Sequence, residues 1–301
     1  MANKRIDEPT GTETVGHEWD GIEELDTPMP RWWLITLYIT IAWGVVYVVL
    51  YPAWPMVSQA TEGVLGWSSR GQLTAEMARE SDRKAPVLAA LASVPIEQLP
   101  ENTELMRQAV AGGRAAFRVN CVQCHGAGAA GGAGYPNLND DDWLWGGDLK
   151  AIEATITHGA RQPGSDGTRT SQMPAFGGGL LTSEQMSQVA DHVLSLSGKA
   201  RASAAGADLF ATNCAACHSP TGQGHRALGA PNLADAIWLY GGKKADVIQQ
   251  VASPRHGVMP AWHGRLDPAT IKMLAAYVHS LGGGEDFVEV AAQPAKPDDQ
   301  S

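Results

Sequence analysis

The chain repeats itself, and that repetition constrains its fold more than any other feature of the sequence. Residues 101–200 align with residues 201–284 as two copies of one unit. Gly113, Phe117 and Cys121 match Gly206, Phe210 and Cys214, each set spaced i, i+4, i+8 as on a helix. Cys121-x-x-Cys124-His125 matches Cys214-x-x-Cys217-His218, and these motifs hold all 4 cysteines of the chain. Pro136-Asn137-Leu138 matches Pro231-Asn232-Leu233, and Trp143-Leu144-Trp145-Gly146-Gly147 matches Trp238-Leu239-Tyr240-Gly241-Gly242. Met173-Pro174-Ala175-Phe176 matches Met259-Pro260-Ala261-Trp262. Each copy then closes with a capped helix. Thr182 and Gln185 make a capping-box pattern, Asp267 precedes Pro268 as an N-cap, and Val189, Val193, Leu196 recur as Leu274, Val278, Leu281. With no alternating strand pattern, each copy is expected to be a small helical domain. Its first and last helices would meet where Gly113 and Gly206 permit close approach. The insertions and deletions between copies fall in loops, the largest being Arg161–Gln172 in the first copy.

Cys-x-x-Cys followed by His is the attachment signature of c-type haem. Two thiols one helical turn apart can add to the two vinyl groups of one porphyrin, and the adjacent His then reaches the iron. A thioredoxin-like pair would need a βαβ context, which is missing, and a zinc site would need further ligands that no remaining cysteine supplies. A disulfide within each pair is the other alternative. Duplication in matching frameworks favours two covalently bound haem c groups, on Cys121 and Cys124 and on Cys214 and Cys217. For the sixth ligand, Met173 and Met259 are the only methionines of the two copies that precede proline, and both stand between haem motif and closing helix. His158 and His256 are rivals without counterparts in the other copy; His192, His225, His263 and His279 are likewise unmatched and read as surface or supporting groups. His/Met ligation favours Fe(II) and leaves no position open for substrate, so the copies read as electron carriers. Trp145 and Tyr240 fit equally a place at the haem edge or in the core.

Ahead of the repeat, Trp32 to Tyr51 is twenty residues without a charge. As a helix it covers about 30 Å, the thickness of a bilayer's hydrocarbon. Trp32, Trp33, Tyr51 and Trp54 mark its two ends like interfacial belts, and Pro30 and Pro52 bracket it. The alternatives are a buried core helix and a cleaved signal peptide; the 31 mostly acidic residues before the run and the lack of a small-x-small site after it oppose the latter. The organisation expected is therefore a cytoplasmic segment 1–31, a transmembrane helix 32–51, a connector 52–100 with a helix near Gln72–Ala92, haem domains 101–200 and 201–284, and a disordered acidic tail 285–301. Haem attachment on the outer face of the membrane would make everything after Tyr51 periplasmic. The formal charge of −10, from 22 basic and 32 acidic residues, argues against nucleic-acid binding. By region, the segment before the helix carries −5 and the tail −4, while the two copies carry −3 and +3. A basic donor is thus expected to favour the first copy, around Asp140, Asp141 and Asp142.

The stretch Gly16-His17-Glu18-Trp19-Asp20-Gly21-Ile22-Glu23-Glu24-Leu25-Asp26 leads through Pro28 and Pro30-Arg31-Trp32-Trp33 into the apolar run, which ends Tyr51-Pro52-Ala53-Trp54-Pro55. Followed by two haem-motif copies, it resembles the CcoP/FixP family, the di-haem subunits of the cbb-type cytochrome c oxidases, over about residues 14–284. The resemblance implies an all-α chain with one N-terminal transmembrane helix and two tandem class I cytochrome c domains. It implies that electrons pass from a donor cytochrome c, through this chain and a mono-haem partner subunit, to a haem–copper catalytic subunit that reduces O₂ and pumps protons. It also implies His125 and Met173 on one iron and His218 and Met259 on the other, with no catalytic centre in this chain. A membrane-bound di-haem carrier serving another respiratory complex or dehydrogenase is the competing function, followed by a haem gas sensor or peroxidase.

Overall fold

The computed structural model describes residues 4–201 and 203–287. The chain divides into two compact units, one up to Arg83 and one from Lys84.

The first unit opens with the only paired strands of the described residues, β1 (Thr14–Trp19) and β2 (Ile22–Leu25), antiparallel with Trp19 opposite Ile22. They add a small sheet to a chain expected to be all-α. Asp20 and Gly21 turn the hairpin with φ of 49° and 84°. Asp-Gly is the pair that a two-residue turn with two positive φ angles requires, because its twist matches that of the strands. Ion pairs Arg5–Glu23 and Lys4–Asp26 brace the hairpin's outer face. Helix α1 (Arg31–Leu50) follows Pro30 and has no buried residue. A core helix would be mostly buried; α1 instead presents apolar side chains all round and is long and apolar enough to cross a membrane. Its two threonine hydroxyls donate back to the helix, Thr36 to Trp32 O at 2.9 Å and Thr40 to Leu37 O at 2.8 Å, so neither hydroxyl needs a partner from the surroundings. Helix α2 (Ser69–Ser93) encloses the helical stretch expected in the connector.

The second unit contains helices α3 (Thr103–Asn120), α4 (Val122–His125), α5 (Leu149–His158), α6 (Ser183–Leu196), α7 (Ala204–Asn213), α8 (Ala215–His218), α9 (Lys244–Ala252) and α10 (Pro268–His279). The caps follow the sequence: Thr182 and Gln185 form the reciprocal capping box of α6, and Asp267 accepts from Thr270 N at the start of α10. The helices enclose two separate cores, hence two lobes. Phe117, Leu99, Leu149 and Leu274 centre the first; Val189, Phe210, Val247 and Val251 centre the second.

The two cores draw on helices from both copies. The last helix of each copy packs on the first helix of the other. α10 lies against α3 and α5, while α6 lies against α7 and α9. A Cβ on Gly113 would overlap Met273 O and come within 2.7 Å of Tyr277 Cβ; one on Gly206 would overlap Gln188 O and come within 3.0 Å of His192 Cβ. Phe117 then packs tilted against Tyr277, ring centroids 5.3 Å apart, and Phe210 packs likewise against His192 at 5.1 Å. The expected glycine contact is thus present, but between copies. Two homologous copies offer each closing stripe two equivalent grooves, and an exchange costs no contact. The crossing is made by the segments after α5 and α9. Ala160 and Met259 exchange two backbone hydrogen bonds of 3.0 Å, and Trp262 N donates to Ile156 O at 3.1 Å, which returns the chain to the first lobe. In the other direction, the turn Phe176–Gly178 seats on α9, with Gly177 against Ala252. The second lobe is therefore continuous, from Met173 to Ala252, and is inserted between the two parts of the first.

The first lobe is also tied to the connector. Lys272, buried in α10, donates to Leu91 O at 2.7 Å and Val94 O at 2.5 Å, satisfying carbonyls at the C-terminus of α2 that have no intrahelical partner. Glu285, expected to open a disordered tail, is held instead. It accepts from Gly147 N at 2.7 Å and pairs in bidentate fashion with Arg226 of the second lobe. Residues 288–301 of that expected tail lie outside the described residues.

Expressed by itself with haem attachment supplied, a fragment of residues 171–258 should fold to a protease-resistant haem protein, because it holds the whole second core. The fragment 101–200 holds part of each core and the whole of neither, so it should resist protease less than 171–258 does. Limited proteolysis of the two fragments separates this nesting from contiguous domains, which require a stable 101–200.

Candidate haem sites

Each haem motif is built in the same way. The long opening helix ends at the first cysteine, and the next turn, α4 or α8, carries the second cysteine and the histidine. Backbone bonds from His125 N to Cys121 O (3.0 Å) and His218 N to Cys214 O (2.9 Å) hold both motifs in one helical turn. Cys124 and Cys217 are exposed, Cys121 is half-buried and Cys214 is buried. No disulfide joins either pair. Burial, then the neighbouring Cys124 or Cys217, pushes Cys121 and Cys214 up to about 11, so both stay protonated at neutral pH.

The histidines are fixed by a contact that the sequence reading missed. His125 Nδ1 lies 3.2 Å from Pro136 O, and His218 Nδ1 lies 3.1 Å from Pro231 O. A carbonyl only accepts, so Nδ1 carries the proton and Nε2 keeps its lone pair. Burial also holds both imidazoles below the ordinary histidine value, with the proline carbonyl opposing it. A neutral ring with its second nitrogen tethered to a carbonyl is the form in which histidine binds a metal. The signal was the repeated Pro-Asn-Leu. Proline supplies the carbonyl, Asn137 and Asn232 accept from the backbone N–H two residues on, and Leu138 and Leu233 pack on the two cores.

The methionines pack on cores that also hold residues of the other copy's haem motif. Met259 packs on the core that contains Phe117, together with Cys121, and Met173 packs on the core that contains Cys214. Met259 thus shares a core with the first motif and Met173 shares one with the second. The cause is the exchange of closing segments, which carries each Met-Pro across. His158 and His263 turn their Nδ1 atoms to Asp166 O and Thr157 O, and their rings stand 5.7 Å apart. Trp145 and Tyr240 lie where the lobes meet: Arg161 sits 5.2 Å over the Trp145 ring, Arg255 sits 4.8 Å over Tyr240, and Gly134 N donates to Leu239 O at 2.9 Å. No βαβ unit surrounds either motif, and among the described residues no group of three or more His, Cys, Asp or Glu side chains is placed to hold a metal ion.

Residues 11–58 match the family described as the N-terminal domain of cytochrome oxidase-cbb3, FixP. Residues 108–193 and 201–278 each match cytochrome c oxidase, cbb3-type, subunit III. The cbb3-type cytochrome c oxidase subunit FixP of Rhizobium meliloti (strain 1021) is 51% identical over 286 residues, covering 94% of this chain and 99% of its own length. Subunit CcoP of Cereibacter sphaeroides is 52% identical over 276 residues, covering 90% and 95%. Subunit FixP of Azorhizobium caulinodans is 52% identical over 284 residues, covering 93% and 96%. The chain belongs to this family. As a FixP/CcoP subunit it has two cytochrome c-type domains that bind haem c, and it is an electron-transfer subunit of a cbb3-type oxidase. The donor set fits that cofactor: in each lobe two thiols, one of them exposed, adjoin a tethered imidazole, and a methionine packs on the same core.

The acidic run beside Trp143 is denser in space than in sequence. Burial first, then Asp235, Asp140 and Asp141, push Asp142 up to about 6, only partly offset by Arg226. A carboxyl whose folded pKa is raised above its unfolded value opposes folding once ionised. That cost is present above about pH 6 and disappears as the pH falls toward the unfolded value near 4. Asp142→Asn should therefore raise the melting temperature at neutral pH and leave it unchanged near pH 4, which thermal melts across that range would check.

Proposed function

We propose that the chain is a membrane-anchored relay with two haem c groups, in which each iron takes its histidine from one copy and its methionine from the other. Cys121, Cys124, His125 and Met259 would hold one haem, and Cys214, Cys217, His218 and Met173 the other. The supporting observation is that each core packs a haem motif of one copy with the Met-Pro of the other. When bound, the haems would supply a reversible Fe(III)/Fe(II) couple, and His and Met donors would suit it to carrying single electrons. The protein's part is to orient the imidazoles through Pro136 and Pro231, to present thioethers that favour Fe(II), and to keep the irons shielded from water. The relay serves a donor cytochrome c on one side, and the mono-haem and catalytic haem–copper subunits of the oxidase on the other. Helix α1 spans the membrane, with residues 1–31 cytoplasmic and the lobes periplasmic, where haem is attached.

Donor docking falls to the acidic run. Asp140, Asp141 and Asp142 of the first copy face Asp235 of the second, as their mutual effect on Asp140 and Asp142 requires. Neutralising the three consecutive aspartates should slow reduction by a basic donor cytochrome at low salt and flatten the salt dependence. Stopped-flow reduction that is unchanged at every ionic strength would remove the docking role.

Ligand exchange tests the crossed pairing. In a chain whose second attachment site is removed by Cys214→Ser and Cys217→Ser, Met259→His should lower the remaining midpoint potential. The fall should be on the order of 0.1 V or more, within the roughly 0.8 V that axial ligands command. Met173→His should leave it in place there and lower the potential in the complementary chain lacking Cys121 and Cys124. Contiguous pairing requires the opposite pattern in the two redox titrations.

A further inference from the structure

Between the lobes, one side chain touches both methionine-bearing segments. We propose that Arg161 is a positioning residue shared by the two haem sites, a single guanidinium that clamps the segments carrying Met173 and Met259 and couples the two methionine ligations. The proposal rests on the crossed His/Met reading and adds to it a residue whose loss reaches both irons.

Arg161 Nε donates to Gly257 O at 2.7 Å, and its Nη1 donates to Ser171 Oγ at 3.0 Å. Gly257 stands two residues before Met259, and Ser171 stands two residues before Met173. The two arms of one planar fork therefore reach equivalent points on the two exchanged segments. The Trp145 ring, 5.2 Å from the guanidinium carbon, supports the fork from beneath. A lysine has one compact ammonium and cannot set two donors at a fixed angle and separation.

Two further observations show that the side chain is retained against opposition. Arg161 has φ of 55°, one of four described non-glycine residues with positive φ, and Arg161 N is fixed there by a 2.7 Å bond to Arg169 O. Glycine would adopt that backbone without strain, so an arginine held there points to a role for its side chain. The guanidinium is also half-buried, with a carbonyl and a hydroxyl as its partners where a buried charge ordinarily finds a carboxylate. Burial accordingly draws its pKa below the ordinary arginine value. Such a charge is poorly used as packing. As a clamp it makes two charge-assisted bonds that fix where each methionine leaves the backbone.

The test uses the full chain in detergent, with the sulfur-to-iron charge-transfer absorption of each oxidised haem as the readout. Met173→His and Met259→His backgrounds leave one methionine-ligated haem apiece, so each site is read separately. Arg161→Gln and Arg161→Lys should each weaken the absorption at least twofold in both backgrounds and lower both midpoint potentials. Ser171→Ala should weaken it only where Met173 is the ligand. If Arg161→Gln does not accumulate, Arg161→Gly relieves the backbone strain while removing the fork, and should give the same double loss. An absorption unchanged in both backgrounds, or lost from one haem alone in the Arg161 variants, overturns the clamp. An unsubstituted chain without this absorption overturns the methionine reading itself, and the clamp with it.

Discussion

At Gly113 and Gly206 two helices approach until the backbone of one occupies the space a side chain would need on the other. The rest of the structure depends on those two contacts. They hold α10 on α3 and α6 on α7, and each closing helix is preceded in the chain by the Met-Pro segment that packs on the same core. The aromatic pairs Phe117–Tyr277 and Phe210–His192 then fill the wedge beside each glycine. Close backbone approach at a residue without a Cβ is unforgiving of substitution, so the partnership of helices is fixed locally even though the two grooves are alike.

Much of the chain was legible in its sequence. An uncharged run located α1, composition located α2 and apolar periodicity located both closing helices, and the caps at Thr182 and Asp267 form as their residue types require. The haem motifs stand on helical turns, as Cys-x-x-Cys-His implies. The exchange between copies was not legible, for a physical reason. An apolar stripe states that a helix must be covered, and where two homologous grooves exist it does not state by which. The hairpin at residues 14–25 was readable from Asp20-Gly21, but its short strands alternate weakly and its acidic composition obscured them. The role of Pro136 and Pro231 lay in backbone carbonyls, which side-chain patterns do not reveal except through the repetition itself.

The electrostatics of the second unit follow from the same arrangement. The sequence divides charge into an acidic first copy and a basic second one, but the fold redistributes it. Asp235 joins the aspartates of the first copy, Arg226 reaches across to Glu285, and Lys244 pairs with Asp191. Burial alone would raise Glu285, yet Arg226 and the Gly147 N–H hold it below the usual carboxylate value. Among these, Lys244–Asp191 is the attractive pair between copies, and it joins α9 to α6 within the second lobe.

The insertion of the second lobe into the first has a consequence for how the protein is made. A chain emerging from the ribosome ordinarily completes its domains in order, N-terminal first. Here the first haem motif is among the early residues to emerge, yet the helix that covers it, Pro268–His279, lies among the last of the described residues. The later lobe is thus complete while the earlier one still stands open. The order of closure runs opposite to the order of synthesis.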